Sequence, residues 1–327
     1  MDHADQCLVA REDVFYRMGG SVGNQLHGAA FLQNSGAGMR KALVVGNLAW
    51  DDSFAVAALP APGASIPARA LSGGAGGKGA NQAVALARAL GEPGLVGLVA
   101  ALGGDLRGHA LRAALTSEGL ALHLVEYGDG ISDLSIILRE ESGENAVITT
   151  QDCAQSLTTR EILPHLRGDL LVMQGNLRPD VTEAVLHAAQ GMVRVLNPSP
   201  LDGITAQALA MAEIIVANEV ETRALGGAEA LSRRAALVRT RGPDGAELWL
   251  EGALCEQVPA PRVTPADPTG AGDCFLGALI GAMMRRGATR PDAGDIRIAC
   301  WSGAMAVARW GTQTAFPSRA EFARVFE

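Results

Sequence analysis

Short apolar runs alternate with longer amphipathic stretches along most of this chain. Runs rich in Val, Leu and Ile predict strands at 42–46, 95–102, 169–174, 193–197, 214–216 and 236–240. Apolar residues at helical spacing between them predict helices at 81–90, 107–118, 181–189 and 205–211. Strands that alternate with helices of this length are typical of βαβ units. The pattern therefore predicts an α/β fold, a three-layer sandwich with a mostly parallel central sheet between two helical layers.

Two segments, 53–71 and 122–150, interrupt this alternation. In the second, every other residue is apolar at 134–138 and again at 146–149, on either side of a polar turn at 142–145. Alternation of period two around a turn predicts a hairpin. We expect both segments to lie outside the main sheet and to form a small β-lid, which could close over a site and exclude water.

The first 38 residues differ from the rest, since they are polar, lack periodicity and contain scattered Gly, Asn and Gln. We expect 1–38 to be an N-terminal extension, either disordered or the product of a misassigned start. Residues 39–327 then form a single domain.

Composition narrows the class of protein. Of the 327 residues, 48% are hydrophobic and 19% charged, which predicts a large globular core. A net charge of −8 argues against nucleic acid or an anionic membrane as a partner. Five cysteines without CxxC spacing, no signal peptide and no apolar run long enough to span a bilayer predict a soluble, cytoplasmic protein. The histidines lack zinc-site spacing and the chain has no GxSxG elbow.

The glycine-rich segment 73–83 leads directly into a predicted helix. Its Gly74-x-Gly76-x-x-Gly79 fits a dinucleotide-binding string, but the preceding residues make a poor buried strand and no acid follows at the required distance. A Walker A loop is excluded because Lys78 is followed by Gly79. The segment is then either a plain flexible loop or a place where the backbone, Lys78 and Asn81 approach a polar ligand.

A second glycine-rich segment, Asp267-Pro-Thr-Gly-Ala-Gly-Asp273, precedes an apolar helix. Small residues at the start of a helix leave its first N–H groups accessible, and together with the helix dipole they form an anion site suited to phosphate. Asp273 at this end could accept the proton of an attacking hydroxyl. The alternative is that Asp273 only caps the helix.

Taken together, GGKGANQA at 76–83 and DPTGAGD at 267–273 resemble the two signatures of the PfkB (ribokinase-like) family of carbohydrate kinases. The segments LNPSP at 196–200, NEVE at 218–221 and AVARWG at 306–311 resemble further family motifs. The resemblance spans Met39 to about Pro317 and implies a ribokinase-like fold. It implies a kinase that transfers the γ-phosphoryl of ATP to a primary hydroxyl of a small carbohydrate, ribose or a related pentose.

The resemblance also implies roles for individual residues. Asp273 would be the catalytic base, and the amides of Gly270, Ala271 and Gly272 would form the anion hole. The nucleotide would contact Asn218, Thr240, Gly242 and Gly245, and Glu221 would hold Mg²⁺ through water. Taken alone, the NEVE string is more often a solvated acidic cluster.

A monovalent-cation site for K⁺ is implied at Asp267 and at the carbonyls of Thr269, Ala306, Arg309 and Gly311. Ala315 departs from the family pattern there, because ribokinases tend to carry a hydroxyl side chain at this position. The sugar would be held by Asp51, Gly77, Lys78, Asn81 and Asn176. Ala49 and Asn176 depart from ribokinases, which usually carry Asn and an acid at these positions.

These departures leave the substrate open among pentoses, hexoses, sugar phosphates and nucleosides. Two further alternatives are a non-catalytic sugar-binding regulatory relative and, with little support, an NAD(P)-dependent oxidoreductase built on the glycine string. Similar kinases often dimerise through the lid, so the resemblance also implies a homodimer.

Overall fold

The computed structural model describes residues 40–140 and 145–327. The strands in these ranges are β1 (Ala42–Val45), β2 (Ala49–Val56), β3 (Arg69–Gly76), β4 (Val96–Gly103), β5 (Ala121–Tyr127), β6 (Leu134–Glu140), β7 (Asn145–Thr149), β8 (Leu170–Gln174), β9 (Val193–Asn197), β10 (Ile214–Asn218), β11 (Ala236–Thr240), β12 (Ala246–Leu250) and β13 (Ala253–Val258). The helices are α1 (Lys78–Leu90), α2 (Leu106–Thr116), α3 (Asp152–Ser156), α4 (Thr159–Ile162), α5 (Pro179–Ala188), α6 (Ala206–Met211), α7 (Glu219–Ala224), α8 (Ala228–Ser232), α9 (Ala271–Arg285), α10 (Ala293–Val307) and α11 (Arg319–Phe326).

A nine-stranded sheet forms the centre of the described chain, in the order β13-β12-β11-β10-β9-β8-β1-β4-β5. Neighbouring strands from β11 to β5 are parallel, and β12 and β13 extend one edge as antiparallel strands. The central strands are mostly apolar, as in the fully buried β4 and in the fully buried β8, which is apolar up to its terminal Gln174. Such strands need cover on both faces, and the helices supply it.

Each face of the sheet has its own hydrophobic core. One core contains side chains of α1, α2, α9 and α10, among them Leu86, Leu111 and Leu279. The other contains side chains of α3 to α6 and α8, among them Leu186, Ala208 and Leu231. The two layers confirm the predicted three-layer α/β sandwich.

A separate four-stranded sheet has the order β3-β2-β6-β7. Its central strands β2 and β6 are parallel, and β3 and β7 add to the two edges in the antiparallel sense. This lid sheet is only partly buried, since most of β3 is exposed or half-buried. The exposed pattern explains why residues 68–72 look poor as a buried strand although they contribute to a strand of the lid.

Two expectations about the lid change in detail. The glycines at 73–76 are not a loop, because they complete β3 and pair with β2. Residues 121–127 belong to the main sheet as β5, parallel to β4, so the second lid segment begins after Tyr127. The predicted turn at 142–145 falls mostly outside the described residues, as does the predicted extension 1–38.

Candidate active site

The first turn of α9 combines an acid with accessible backbone donors. Gly270 is the N-cap, with a φ of +75°, and its side-chain position is closed because a Cβ there would lie 2.7 Å from Thr312 Cγ2. The N–H of Ala271 donates to the Pro268 carbonyl at 3.2 Å, whereas the N–H groups of Gly272 and Asp273 have no acceptor within the described chain. Free N–H groups at a helix start can bind an anion.

The Asp273 side chain is buried and does not cap the helix. Its Oδ2 accepts a hydrogen bond from Asn81 Nδ2 at 3.1 Å, and its Oδ1 accepts one from Gln82 Nε2 at 3.0 Å. Lys78 Nζ lies 3.9 Å from Oδ1. Two amides orient this carboxylate and one ammonium group lies near it, so it has the fixed position that a general base requires.

Close packing of α1 against α9 brings these groups together. A Cβ at Gly277 would lie 2.5 Å from Ala85 Cβ and 2.7 Å from Leu86 N. One turn later, a Cβ at Gly281 would lie 2.5 Å from Ala89 Cβ. Because α9 presents hydrogen atoms here instead of side chains, the two helix starts meet and Asp273 reaches the first turns of α1.

A chain of side-chain amides extends from this contact. Gln82 Nε2 also donates to Asn197 Oδ1 at 3.1 Å, and Gln174 Nε2 donates to Gln82 Oε1 at 2.7 Å. On the other side, Gln313 Nε2 donates to Asn81 Oδ1 at 3.0 Å. Sequence reasoning assigned no role to Gln82, Gln174, Asn197 and Gln313. Gln174 and Asn197 end parallel strands, which is where α/β proteins place ligand sites, and this position was the available signal.

Asp51 lies in β2 of the lid sheet, where it pairs in register with Gly74 and Ser135. Thr312 Oγ1 donates to its Oδ2 at 3.4 Å. The pKa of the Asp51 carboxyl is raised to about 6, chiefly by burial and also by the Asp273 charge, while hydrogen bonds from Ser135 and Thr312 oppose the rise. A Cβ on Gly76 would overlap this carboxyl at 2.0–2.4 Å, so glycine at 76 makes room for the acid.

The two remaining residues predicted to bind the sugar, Gly77 and Asn176, lie in different environments. Gly77 is buried, with a φ of +88°, and a Cβ there would lie 2.8 Å from the backbone N of Ala49. Asn176 follows β8 and is buried, and its Oδ1 has no hydrogen-bond partner within the described residues. An acceptor left without a partner in a buried position is costly unless a ligand or water supplies a donor.

The predicted nucleotide residues form a second cluster at the same edge of the sheet. Asn218 and Thr240 end neighbouring parallel strands and lie in register. Asn218 and Glu221 form a reciprocal capping box at the start of α7, with hydrogen bonds of 2.8 and 2.9 Å. Gly242 and Gly245 bound the turn that follows Thr240. Asn197 lies between the two clusters, since its Nδ2 donates to the Val216 carbonyl in β10.

Asp267 is fully buried, and two of the residues predicted with it, Thr269 and Gly311, contact its carboxylate. Its Oδ1 accepts from the N–H of Thr269 at 2.9 Å and its Oδ2 from the N–H of Gly311 at 3.0 Å. The Ala306 carbonyl accepts from the N–H of Arg309 at 3.2 Å. A further neighbour that sequence reasoning missed is Arg139 of β6, whose Nη2 lies 2.5 Å from Asp267 Oδ2.

A cavity of about 290 Å³ opens between the lid sheet and the loop 311–314. Asp51, Ser53, Gly74, Thr312 and Gln313 are among its lining residues. Its volume lies just below the roughly 300–1,000 Å³ typical of small-molecule sites. A larger cavity of about 540 Å³ between α6 and α8 contains none of the predicted site residues.

Other kinds of site receive no support from the described residues. No group of three or more His, Cys, Asp or Glu side chains in 40–140 and 145–327 is arranged to hold a metal ion directly. Among the helices of these ranges, none is long and apolar enough to cross a membrane.

Known proteins resemble the chain over most of its length. The family model described as "pfkB family carbohydrate kinase" matches residues 39–319. The ribokinase of Haemophilus influenzae is 26% identical over 304 residues, which cover 86% of this chain and 97% of that protein. The deoxyribokinase of Salmonella typhi is 28% identical over 289 residues, which cover 81% of this chain and 91% of that protein.

Solved structures share the fold. The structure of Arabidopsis thaliana ribokinase complexed with ribose and ATP superposes with a TM-score of 0.77 at 22% identity, covering 88% of this chain and 99% of that one. The nine-stranded sheet between two helical layers is thus the ribokinase-like fold. With the family model matching 39–319, the chain belongs to the pfkB family of carbohydrate kinases and is a phosphotransferase that acts on a sugar hydroxyl.

Proposed function

We propose that this enzyme transfers the γ-phosphoryl of ATP to a primary hydroxyl of a pentose, ribose or a close relative of ribose. The observation that carries the proposal is the Asp273 carboxylate, which is buried beside free N–H groups of a helix start and oriented by Asn81 and Gln82. A cap would bond its own helix instead. A base next to an anion site is the arrangement that phosphoryl transfer to a hydroxyl requires.

In the reaction, Asp273 accepts the proton of the sugar hydroxyl as the hydroxyl oxygen bonds to the γ-phosphorus. The bond between that phosphorus and the bridging oxygen of ADP breaks. Asn81 and Gln82 hold the carboxylate oxygens in place, and Lys78 adds positive charge 3.9 Å from Oδ1. General-base catalysis of this kind contributes about a hundredfold to ten-thousandfold in rate.

The start of α9 stabilises the charge on the transferring phosphoryl group. Of the predicted hole residues Gly270, Ala271 and Gly272, the Ala271 N–H is already engaged within the turn. The N–H groups of Gly270, Gly272 and Asp273 have no acceptor within the described residues and are therefore the available donors. Each donor of this kind is worth about a hundredfold or more in rate.

The nucleotide occupies the edge formed by Asn218, Thr240, Gly242 and Gly245. Glu221 fits Mg²⁺ held through water, since its Oε2 is engaged with the Asn218 N–H while the side chain stays partly exposed at this edge. When bound, the ion neutralises charge on the phosphates of ATP.

On the sugar side, the Asp51 carboxylate accepts two hydroxyl hydrogen bonds, with Gly77, Lys78 and Asn81 around the ring. Asn176 Oδ1, which has no partner among the described residues, is offered to a hydroxyl at a position where ribokinases usually carry an acid. This change is the reason to test hexoses, sugar phosphates and nucleosides beside the pentoses. We further propose a cytoplasmic enzyme, on the basis of its cysteine spacing and of ATP as donor, and a homodimer joined through the lid.

The test is ADP release from ATP and Mg²⁺ over a panel of ribose, deoxyribose, other pentoses, hexoses, sugar phosphates and nucleosides. We expect turnover with one pentose and a loss of at least about a hundredfold in kcat for Asp273→Asn. Binding of the sugar, followed by calorimetry, should persist in that variant. Asp292→Asn is the matched control, because Asp292 caps α10 and contacts none of the site residues.

Full turnover by Asp273→Asn would show that Asp273 is not the base. Turnover with only a hexose, a sugar phosphate or a nucleoside would show that the substrate is not a pentose. Sugar binding without ADP release in the unaltered protein would identify a non-catalytic relative.

A further inference from the structure

Asp267 occupies a place where its charge must be balanced. It is fully buried and immediately precedes the turn 268–272 that forms the anion hole, so its position sets the position of that turn. The N–H groups of Thr269 and Gly311 supply two neutral hydrogen bonds. A buried carboxylate is strongly destabilising unless a cation lies beside it.

Arg139 of the lid sheet supplies that cation. Its Nη2 lies 2.5 Å from Asp267 Oδ2 and donates to Thr269 Oγ1 at 3.1 Å. The guanidinium carbon lies 5.7 Å from the centre of the Trp310 ring, within the range of a cation–π contact. The side chain is only 13% exposed. Arg139 thus contacts both segments, 267–269 and 309–311, from which the predicted K⁺ site would be built.

The residues around Asp267 suit an arginine side chain better than a free monovalent cation. Asp267 Oδ2 already accepts hydrogen bonds from both Arg139 and Gly311, and the Ala306 carbonyl is engaged at the end of α10. An ion bound at the same carboxylate would lie close to the guanidinium, where like charges repel strongly in a buried setting. An arginine is also permanently charged at any working pH.

We propose that Arg139 is a built-in replacement for the monovalent cation, so that this kinase works without K⁺. Arg139 is a positioning residue, since it acts on the anion-hole turn through Asp267 and Thr269. Because Arg139 belongs to β6, the same contact joins the lid sheet to that turn. The inference rests on the proposed kinase activity, and the experiment separates the two.

The first measurement compares turnover of the unaltered enzyme in KCl and in choline chloride at equal ionic strength. We expect the two turnover rates to differ by less than about twofold. Without a specific cation site, the enzyme responds only to ionic strength, which is the same in both salts. Arg139→Ala removes the charge and opens room for an ion. Its turnover in choline chloride should fall by at least about tenfold and recover in KCl, because the anion hole loses its alignment without a cation at Asp267.

Thermal unfolding without substrate gives a readout independent of activity. An ion that binds only the folded state raises the melting temperature. We expect the melting temperature of Arg139→Ala to be several degrees higher in KCl than in choline chloride. The melting temperature of the unaltered enzyme should be the same in both salts. Arg139→Lys should keep its turnover without K⁺, and its melting temperature should be the same in KCl and in choline chloride. Arg112→Ala, which removes a half-exposed arginine paired with Glu126, is the matched control and should behave as the unaltered enzyme.

Strong activation of the unaltered enzyme by K⁺ would overturn the proposal and leave the kinase assignment standing. The same holds if Arg139→Ala keeps its turnover and melting temperature in choline chloride. If Arg139→Ala does not fold, the unaltered enzyme and Arg139→Lys decide the matter. If no sugar is phosphorylated in any salt, the kinase assignment fails, and the melting temperatures still test the role of Arg139.

Discussion

Among single residues, Asp51 is the one whose protonation should be visible in the kinetics. The pKa of its carboxyl is raised to about 6, chiefly by burial and in part by the Asp273 charge. Above this pH the residue is a carboxylate that accepts hydrogen bonds from two hydroxyls, and below it a neutral acid that accepts fewer. Sugar binding should therefore strengthen as the pH rises through about 6.

We expect kcat/KM for the sugar to fall as the pH decreases below about 6, approaching tenfold per pH unit. This parameter reports the protonation of the free enzyme. At saturating sugar the bound hydroxyls favour the carboxylate, so the acid limb of the profile, which is the fall in rate at low pH, moves to lower pH. In Asp51→Asn, kcat/KM should drop by about tenfold to a hundredfold, the worth of hydrogen bonds to a charged group, and lose the limb. The measurement is kcat/KM from pH 5 to 8, a window chosen around that pKa.

Asp52→Asn is the control for this profile. Asp52 Oδ1 accepts a hydrogen bond from Trp50 Nε1, and its charge contributes a small rise to the pKa of Asp51. Its removal should keep the acid limb and move the limb slightly toward lower pH. An acid limb that survives in Asp51→Asn would assign the titration to another group.

The residues that the sequence revealed are those in contiguous motifs. Asp273, Asn81 and Lys78 lie in two glycine-rich segments, and the structure places them in contact. Arg139 could not be found in the same way. It is an arginine on an alternating lid strand, and its partner Asp267 is 128 positions away, so only the tertiary fold brings the two together.

Among the elements, the packing of α1 against α9 decides the geometry of the site. Gly277→Ala should lower the free energy of unfolding by about 1–3 kcal/mol, because the added methyl overlaps Ala85 Cβ and Leu86 N and forces the helices apart. The separation also moves Asp273 away from Asn81 and Gln82, so kcat should fall more than sugar affinity. Denaturant unfolding and steady-state kinetics measure the two effects.

Gly303→Ala provides the contrast within the neighbouring helix α10. A Cβ there meets its nearest atoms at 3.6 and 3.7 Å, which is ordinary contact. Alanine in a helix interior is favoured over glycine by about 0.5–1 kcal/mol, so this variant should be as stable as the parent or more stable. Equal losses in the two variants would contradict the role assigned to the α1–α9 contact.

Elements differ in how far the sequence defines them. Strands β9 and β11 have the predicted bounds because they are short apolar runs between polar turns. Strand β5 lies mostly within the segment 122–150, which the sequence places in the lid because it interrupts the alternation of strands and helices, and yet it forms the edge of the main sheet. Strand β3 ends in glycines, which are disfavoured in strands, and its pairing with β2 makes it a strand.

For the whole molecule, the lid leaves β3 and β7 as edges of its sheet. Large apolar side chains are exposed beside one of these edges, with Val147 54% and Ile148 62% exposed on β7. A strand edge with exposed apolar residues is a template for pairing with another chain. A second copy of the lid is the occupant that fits the proposed homodimer, since it would cover equivalent edges by the same residues.

We expect sedimentation to show a dimer for the unaltered protein and a monomer for the double variant Val147→Lys and Ile148→Lys, because two charges on the edge oppose strand pairing and remove apolar area. Leu106→Lys is the matched control, since Leu106 is 87% exposed but lies at the start of α2 and should leave the dimer intact. If the dimer also orders the lid over the sugar, the double variant will show a higher KM for sugar with a nearly unchanged KM for ATP. A monomeric parent, or a double variant that stays dimeric, would show that the lid edge is not the interface.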